Sequence, residues 1–193
     1  MASAFTHAFA GAALSALAPR PYRGGALALL LAGVAAAPDL DVIGFRYGIA
    51  YAHPLGHRGL THSLFFAACT GVLLAAIIVR ARGAPLRGRA TFGLAAVIAL
   101  AAASHGVLDA LTRGGLGVGF FVPFDNQRYF FPWRPLLVSP ISAAEFFDGV
   151  GVEILRNEIA WVWLPLSLAT GVFVALRTRV RRRRAGGARP GCH

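Results

Sequence analysis

Imidazoles and carboxylates are the side chains that hold zinc, manganese or iron, and this chain gathers them in short runs. The runs are Pro38-Asp39-Leu40-Asp41, His57-Arg58-Gly59-Leu60-Thr61-His62-Ser63 and Ser104-His105-Gly106-Val107-Leu108-Asp109, with Thr6-His7 near the start. His105 and Asp109 stand at i and i+4, so on a helix both project from one face and can share an ion. The alternative for that pair is a buried His–Asp hydrogen bond that satisfies both groups without metal. Asp39 and Asp41 follow a proline that helps end a helix, and their spacing lets both approach one cation from a turn or extended strand. A solvated helix end has the same pattern.

His57 and His62 are too far apart in sequence for one helical face, so Gly56 and Gly59 are expected to keep a loop there. Thr61 then caps the next helix and His62 enters its first turn. Arg58 either contacts an anionic substrate or pairs with Asp39 or Asp41. His7, alone in an alanine-rich stretch, is either an extra ligand or is satisfied by a neighbouring carbonyl. His53, in Tyr51-Ala52-His53-Pro54, reads as a surface turn and is left out of the ligand set.

The elements that must position these residues are apolar and long. The chain is 56% hydrophobic and 14% charged, with a mean hydropathy of +0.61, against roughly 25% charged for an average soluble domain. That composition belongs in a bilayer. The clearest helices are expected at 64–79, 90–111 and 159–176, each able to cross or nearly cross a hydrocarbon core about 30 Å thick. Two shorter apolar pieces, 2–18 and 24–37, precede them, separated by a break at Pro19-Arg20-Pro21. The fold class is therefore all-α: a polytopic membrane bundle of about five apolar helices, the first two short or forming a re-entrant hairpin. The first piece lacks the basic start of a signal peptide and carries His7 inside it, so it reads as retained. No linker or repeat divides the chain, so residues 1–176 read as one membrane-embedded domain and 177–193 as a basic cytoplasmic tail. Cys69 lies in an apolar segment and Cys192 near the end, so no disulfide is expected.

The formal net charge is +11, and all 19 basic residues are arginine. No nucleic-acid-binding motif accompanies them, and the run from Arg177 to Arg184 suits anionic lipid on a cytoplasmic face, so lipids and not nucleic acid are the expected partners. Placing the Arg20/Arg23 turn, the loop holding Arg80, Arg82, Arg87 and Arg89, and the tail in the cytoplasm puts most arginines inside. All eight acidic residues then fall on or near the outer side, together with His7, His57, His62 and His105. Acidic residues hardly influence topology, so their segregation points to a function on that face of the inner membrane.

These motifs resemble those of the YdjM-like, membrane-bound metal-dependent hydrolases: Thr6-His7, Pro38 to Asp41, His57 to Ser63 and Ser104 to Asp109. The stretches Asn126 to Pro135 and Val138-Ser139-Pro140, and Glu158 with Trp161, are similar to longer members. The resemblance covers most of the chain and implies a helical membrane protein with a hydrolase-like metal centre, distantly similar to zinc-dependent phospholipase C and P1 nuclease. The chemistry expected is metal-assisted hydrolysis of a phosphoester or ester of a membrane lipid or envelope precursor. His57, His62, His105 and Asp109 are the expected ligands, with His7 as an extra, and Asp39 and Asp41 bridge ions or orient water as general base. So many donors exceed the need of one tetrahedral zinc, so one or two divalent ions are expected, zinc before manganese. Arg128 and Arg134, set among Tyr129, Phe130, Phe131 and Trp133, either grip a phosphate or belong to an interfacial aromatic belt. Glu145, Asp148, Glu153 and Glu158 have no spacing that singles out a catalytic carboxylate. The reading from a different class is a non-catalytic membrane protein that uses the same groups for a structural ion or a cation or proton path.

Overall fold

The computed structural model describes residues 1–186, and among them the regular structure is helical, with no strand. α1 (Ala4–Leu14) starts at Ser3, whose side chain accepts from the Thr6 amide, and closes through a 3-10 turn at Ser15–Leu17. Pro19 and Pro21 break the helix around Arg20, and Tyr22 tucks into the core before α2 (Gly25–Ala36) begins.

At Pro38 the chain does something the sequence did not predict. The α-helix ends, as a residue without an amide hydrogen requires, but the backbone continues as a 3-10 helix over Ala37–Tyr47 and stops only at Gly48, whose φ is +74°. The second apolar element is therefore not short: Gly25–Tyr47 is 23 residues long. Asp39 and Asp41 lie inside this helical continuation, not in a turn or extended strand.

α3 (Leu64–Ala81) and α4 (Arg89–Ala110) form an antiparallel hairpin. The cap of α3 is Ser63, whose Oγ accepts from Phe66 N at 3.0 Å, and not Thr61. His62 consequently sits before α3, in a 3-10 turn at Leu60–His62. Close helix contact depends on glycine: a Cβ on Gly71 would lie 2.5 Å from the Ala95 carbonyl oxygen, and one on Gly11 of α1 would lie 2.2 Å from that of Leu31 in α2. Small residues at helix crossings are how membrane helices approach.

Residues 111–142 are irregular, held by isolated bridges between Thr112 and Leu136 and between Val118 and Tyr129. After a single turn, α5 (Ala143–Glu145), the helix kinks at Asp148 and Gly149 and resumes as α6 (Gly151–Glu158). A π-helical turn at Ile159–Trp163 leads into α7 (Leu164–Gly186). Among the described residues, four helical stretches are long and apolar enough to cross a membrane: Gly25–Tyr47, Leu64–Ala81, Arg89–Ala110 and Ala143–Arg183. Ala4–Leu17 is a shorter apolar helix. Their outer faces carry exposed Leu29, Val72, Phe92 and Leu168, as lipid-facing surfaces do. The result is a polytopic helical bundle, with no helix break where the tail was expected to begin. Arg177 lies within α7, while Cys192 and the rest of 187–193 lie outside the described residues.

Two apolar clusters make the core. One joins Leu31, Val79, Leu94 and Ile98; the other joins Ala2, Ala10, Leu108, Leu136 and Val162. Around the first, basic side chains gather: Arg82 donates to the Pro21 carbonyl and Arg177 to that of Ala16. The second cluster adjoins the histidines and acids.

Candidate metal centre

Helix ends build the centre. His7 comes from the first turn of α1, Asp39 from the 3-10 continuation of α2, His62 from the turn before α3, and His105 and Asp109 from the last turns of α4. His105 Nε2 is 3.2 Å from Asp39 Oδ1 and 3.9 Å from Asp109 Oδ2; His62 Nε2 is 3.7 Å and 3.6 Å from the same two oxygens. One ligand atom from each of Asp39, His62, His105 and Asp109 lies within 4.8 Å of all the others, so the group can hold a metal ion. His7 stacks on His105 with ring centroids 3.7 Å apart and brings its Nε2 to 3.4 Å from Asp109 Oδ1.

Hydrogen bonds at the back of the rings decide which nitrogens face inward. The Ala35 carbonyl can only accept, so His105 Nδ1–H donates to it at 2.7 Å and Nε2 turns its lone pair toward the carboxylates. Thr61 gives its hydroxyl proton to Asp41 Oδ2 at 2.6 Å, which leaves Thr61 Oγ1 free to accept from His62 Nδ1–H at 3.0 Å. His62 Nε2 is thereby also directed inward. Imidazole lone pairs and carboxylates at these distances repel unless a cation lies among them. The buried polar atoms that lack a hydrogen-bond partner make the same point: His7 Nε2, Asp39 Oδ2 and His62 Nε2 lie here without one, and Asp109 Oδ2 has only the Arg58 guanidinium beside it. This donor set fits a metal. Without a bound ion the cation is a proton on His62. Burial alone lowers the affinity of that imidazole for a proton, but Asp109, Asp39 and Asp41 outweigh burial and push its pKa up to about 10.

A second group, Asp41, His57 and His62, also has ligand spacing. Its atoms are already engaged. His57 Nδ1–H donates to Asp41 Oδ1 at 2.7 Å, and Thr61 occupies Oδ2. Asp41 therefore stands behind His62, on the side away from Asp39, and the expected ligands other than His7 divide between the two groups with His62 common to both; His7 belongs to neither. His53 is exposed and accepts from Leu55 N, as a surface turn would have it.

The arginines lie elsewhere than their sequence neighbours suggested. Arg58 is fully buried at a φ of +64°; its Nε is 3.0 Å from Asp109 Oδ2, and its other nitrogens donate to Gly114 O and Thr112 Oγ1. It meets neither Asp39 nor Asp41 in an ion pair. Arg128 donates to the carbonyls of His57, Tyr51 and His53, clamping the loop that carries the histidines. Arg134 lies over the Phe130 ring, 4.8 Å from its centroid.

Glu158 is the residue that spacing missed. Its carboxylate is fully buried and accepts from Ser3 N at 2.6 Å, from Ser3 Oγ, and from Thr6 Oγ1 at 2.7 Å. One signal was available: it directly precedes the apolar run at 159–176, and an ionisable group at the edge of such a run needs partners.

The family model for the YdjM inner membrane protein matches residues 1–181. The inner membrane protein YbcI of Escherichia coli (strain K12) is 36% identical over 151 residues, covering 75% of this chain and 82% of that protein. No solved structure matches. A family match over residues 1–181 leaves one conclusion, that the chain belongs to the YdjM inner membrane protein family.

Proposed function

We propose that this multi-pass inner membrane protein is a metal-dependent hydrolase acting on a phosphoester or ester of a membrane lipid or envelope precursor. The observation that carries the reading is the grouping of one ligand atom from each of Asp39, His62, His105 and Asp109 within 4.8 Å of one another, with His62 Nε2 and Asp39 Oδ2 buried and without a hydrogen-bond partner. Structures leave such atoms unpaired rarely, and a cation explains all of them together. Two imidazoles and two carboxylates match a tetrahedral zinc, with manganese the alternative where oxygen donors dominate. One ion is favoured, since Asp41 has both oxygens engaged by His57 and Thr61.

A divalent ion held there would supply Lewis acidity, polarising an ester or phosphoryl oxygen and making water nucleophilic near neutral pH. The chain's own groups do the rest. Asp41 and Thr61 hold the Nδ1 side of His62, and the Ala35 carbonyl holds that of His105, which fixes both rings. Arg58 lies against Asp109 and offsets part of its charge. Asp39 is the member of the group with a partly open side chain, 11% exposed, so substrate and water approach past it and it is the carboxylate placed to accept a proton. Lipids are the partners this setting favours, and nucleic acid is not among them. The site faces the non-cytoplasmic side and the arginine end faces the cytoplasm, by the positive-inside rule.

The depth of burial favours a second reading, a purely structural ion, since His7, His62, His105 and Asp109 have essentially no exposed side-chain surface. Metal analysis of purified protein followed by a lipid-class hydrolysis screen separates the two. The hydrolase reading expects a stoichiometric transition metal and turnover, with His105→Ala losing both while keeping its helical circular dichroism. Full metal occupancy without turnover of any lipid class would sink it. Ion-free protein that stays folded but inactive would sink the structural reading.

A further inference from the structure

Two successive backbone amides at the start of α1 are each held by a buried carboxylate. Ala2 N donates to Asp109 Oδ1 at 2.8 Å, and Ser3 N donates to Glu158 Oε1 at 2.6 Å. Glu158 also accepts from the hydroxyls of Ser3 and Thr6, and Trp163 Nε1–H donates to Thr6 Oγ1 at 2.6 Å. Apart from the Ala2 amide on Asp109, none of these atoms touches the metal group. They nevertheless fix the peptide that orients Asp109, and Thr6 immediately precedes His7.

We propose that Glu158 is a positioning residue for the metal centre: by tying down Ser3 and Thr6 it sets the start of α1, and so aims Asp109 Oδ2 and His7 Nε2 at the ion. The inference rests on the metal-centre reading above. Burying a carboxylate in a membrane protein is costly, and Glu158 is fully buried. Its burial is compensated by three donors that all come from the first turn of one helix. A carboxylate needed only to join α6 to α1 could use any part of that helix. This one uses the two residues that flank the centre, Ser3 next to the Ala2 amide on Asp109, and Thr6 next to His7. With Ala2 N holding Oδ1, the other oxygen of Asp109 is left for His62, His105 and Arg58. Loosening Ser3 loosens that restraint.

The test is Co(II) and Mn(II) titration of the detergent-purified full chain, wild type against Glu158→Gln and Ser3→Ala, with thermal unfolding of each ion-free protein. Glu158→Gln keeps the size and one acceptor but removes the charge. It is expected to bind about 10–100-fold more weakly, the usual cost of losing an orienting partner of a metal ligand, and to change the Co(II) visible spectrum. The ion-free melting temperature should change little beside that loss. Ser3→Ala, which deletes one bond and leaves the carboxylate in place, should weaken binding by less. Glu158→Gln binding both ions as tightly as wild type, with an unchanged Co(II) spectrum, would overturn the proposal whatever its melting temperature. If Glu158→Gln does not fold, Ser3→Ala decides: unchanged affinity and spectrum overturn the proposal, and a weaker, spectrally altered site supports it. Wild-type protein that binds neither ion would overturn the metal-centre reading itself, and this inference with it.

Discussion

His62 has its two ring nitrogens committed in different directions, Nδ1 to Thr61 and Asp41 and Nε2 to Asp39 and Asp109. With a pKa raised to about 10, it is a cation at neutral pH until a metal displaces its proton. Because the proton is bound below that pKa, ion affinity should rise about tenfold per pH unit between pH 6 and 8, one proton being released per ion. Mn(II) titrations across that range check this; a flat profile would mean that His62 is not displaced. The sign for folding is opposite. A pKa raised above the unfolded value contributes stability to the ion-free protein that is complete below about pH 6.5 and is lost as pH rises toward 10. Arg58 is the second residue whose burial demands its partners. Arg58→Met would leave Asp109 without its adjacent guanidinium and should destabilise the ion-free protein by about 3–5 kcal/mol, the usual cost of breaking a buried pair. Equilibrium unfolding in mixed detergent measures it, and a cost below about 1 kcal/mol would show that the guanidinium contributes little.

Among the elements, the 3-10 continuation of α2 matters most. Three residues per turn set Asp39 and Asp41 about 240° apart around the helix, so one carboxylate reaches His62 Nε2 and the other its Nδ1 side. The pairing of α1 with α2 matters next. A methyl on Gly11 would lie 2.2 Å from Leu31 O and 2.7 Å from the Ala35 Cβ, and Ala35 is the residue whose carbonyl holds His105. Gly11→Ala should therefore cost about 1–3 kcal/mol, as overpacking does, and should also weaken ion binding because His7 moves away from Asp39. Gly33, on the same α2 but with nothing within 4 Å of a built Cβ, is the control. Gly33→Ala should be neutral or stabilising by up to about 1 kcal/mol through helix propensity. Equal losses from both substitutions would remove the packing argument.

For the molecule as a whole, the bundle separates its charges. The turn after α1, the loop between α3 and α4, and the last turns of α7 meet through Arg82 and Arg177, while the histidine and acidic groups gather at the other helix ends. That separation supports a fixed orientation. With Cys69 and Cys192 replaced by serine, single cysteines at Arg87 and at Asn126 should react from opposite sides of the inner membrane, the second with an impermeant reagent applied from outside. Labelling of both from the same side would defeat the orientation.

How much was legible follows from what each kind of signal requires. Apolar length alone determined the membrane class and the α3–α4 hairpin, because a 30 Å hydrocarbon layer demands about 20 apolar residues whatever the neighbours do. Helical periodicity likewise placed His105 and Asp109 on one face. The extension past Pro38 was not legible. Proline predicts the end of α geometry but not that a tighter helix follows, since that depends on the loop Arg128 clamps and on the partners of Asp41. The cap of α3 was missed by two residues because Thr61 and Ser63 are both capping residue types, and only the structure shows Asp41, from another element, claiming the threonine. Arg58 looked like a neighbour of Asp39 and Asp41, yet its positive φ aims it at Asp109. Glu158 was invisible as part of the centre because its partners lie more than 150 positions away. The sequence by itself determined which side chains are available and that they lie at helix ends in a bilayer, because composition and periodicity are local properties. Only the tertiary structure decided which nitrogens and oxygens face one another, because that is set by hydrogen bonds between elements that no spacing along the chain encodes.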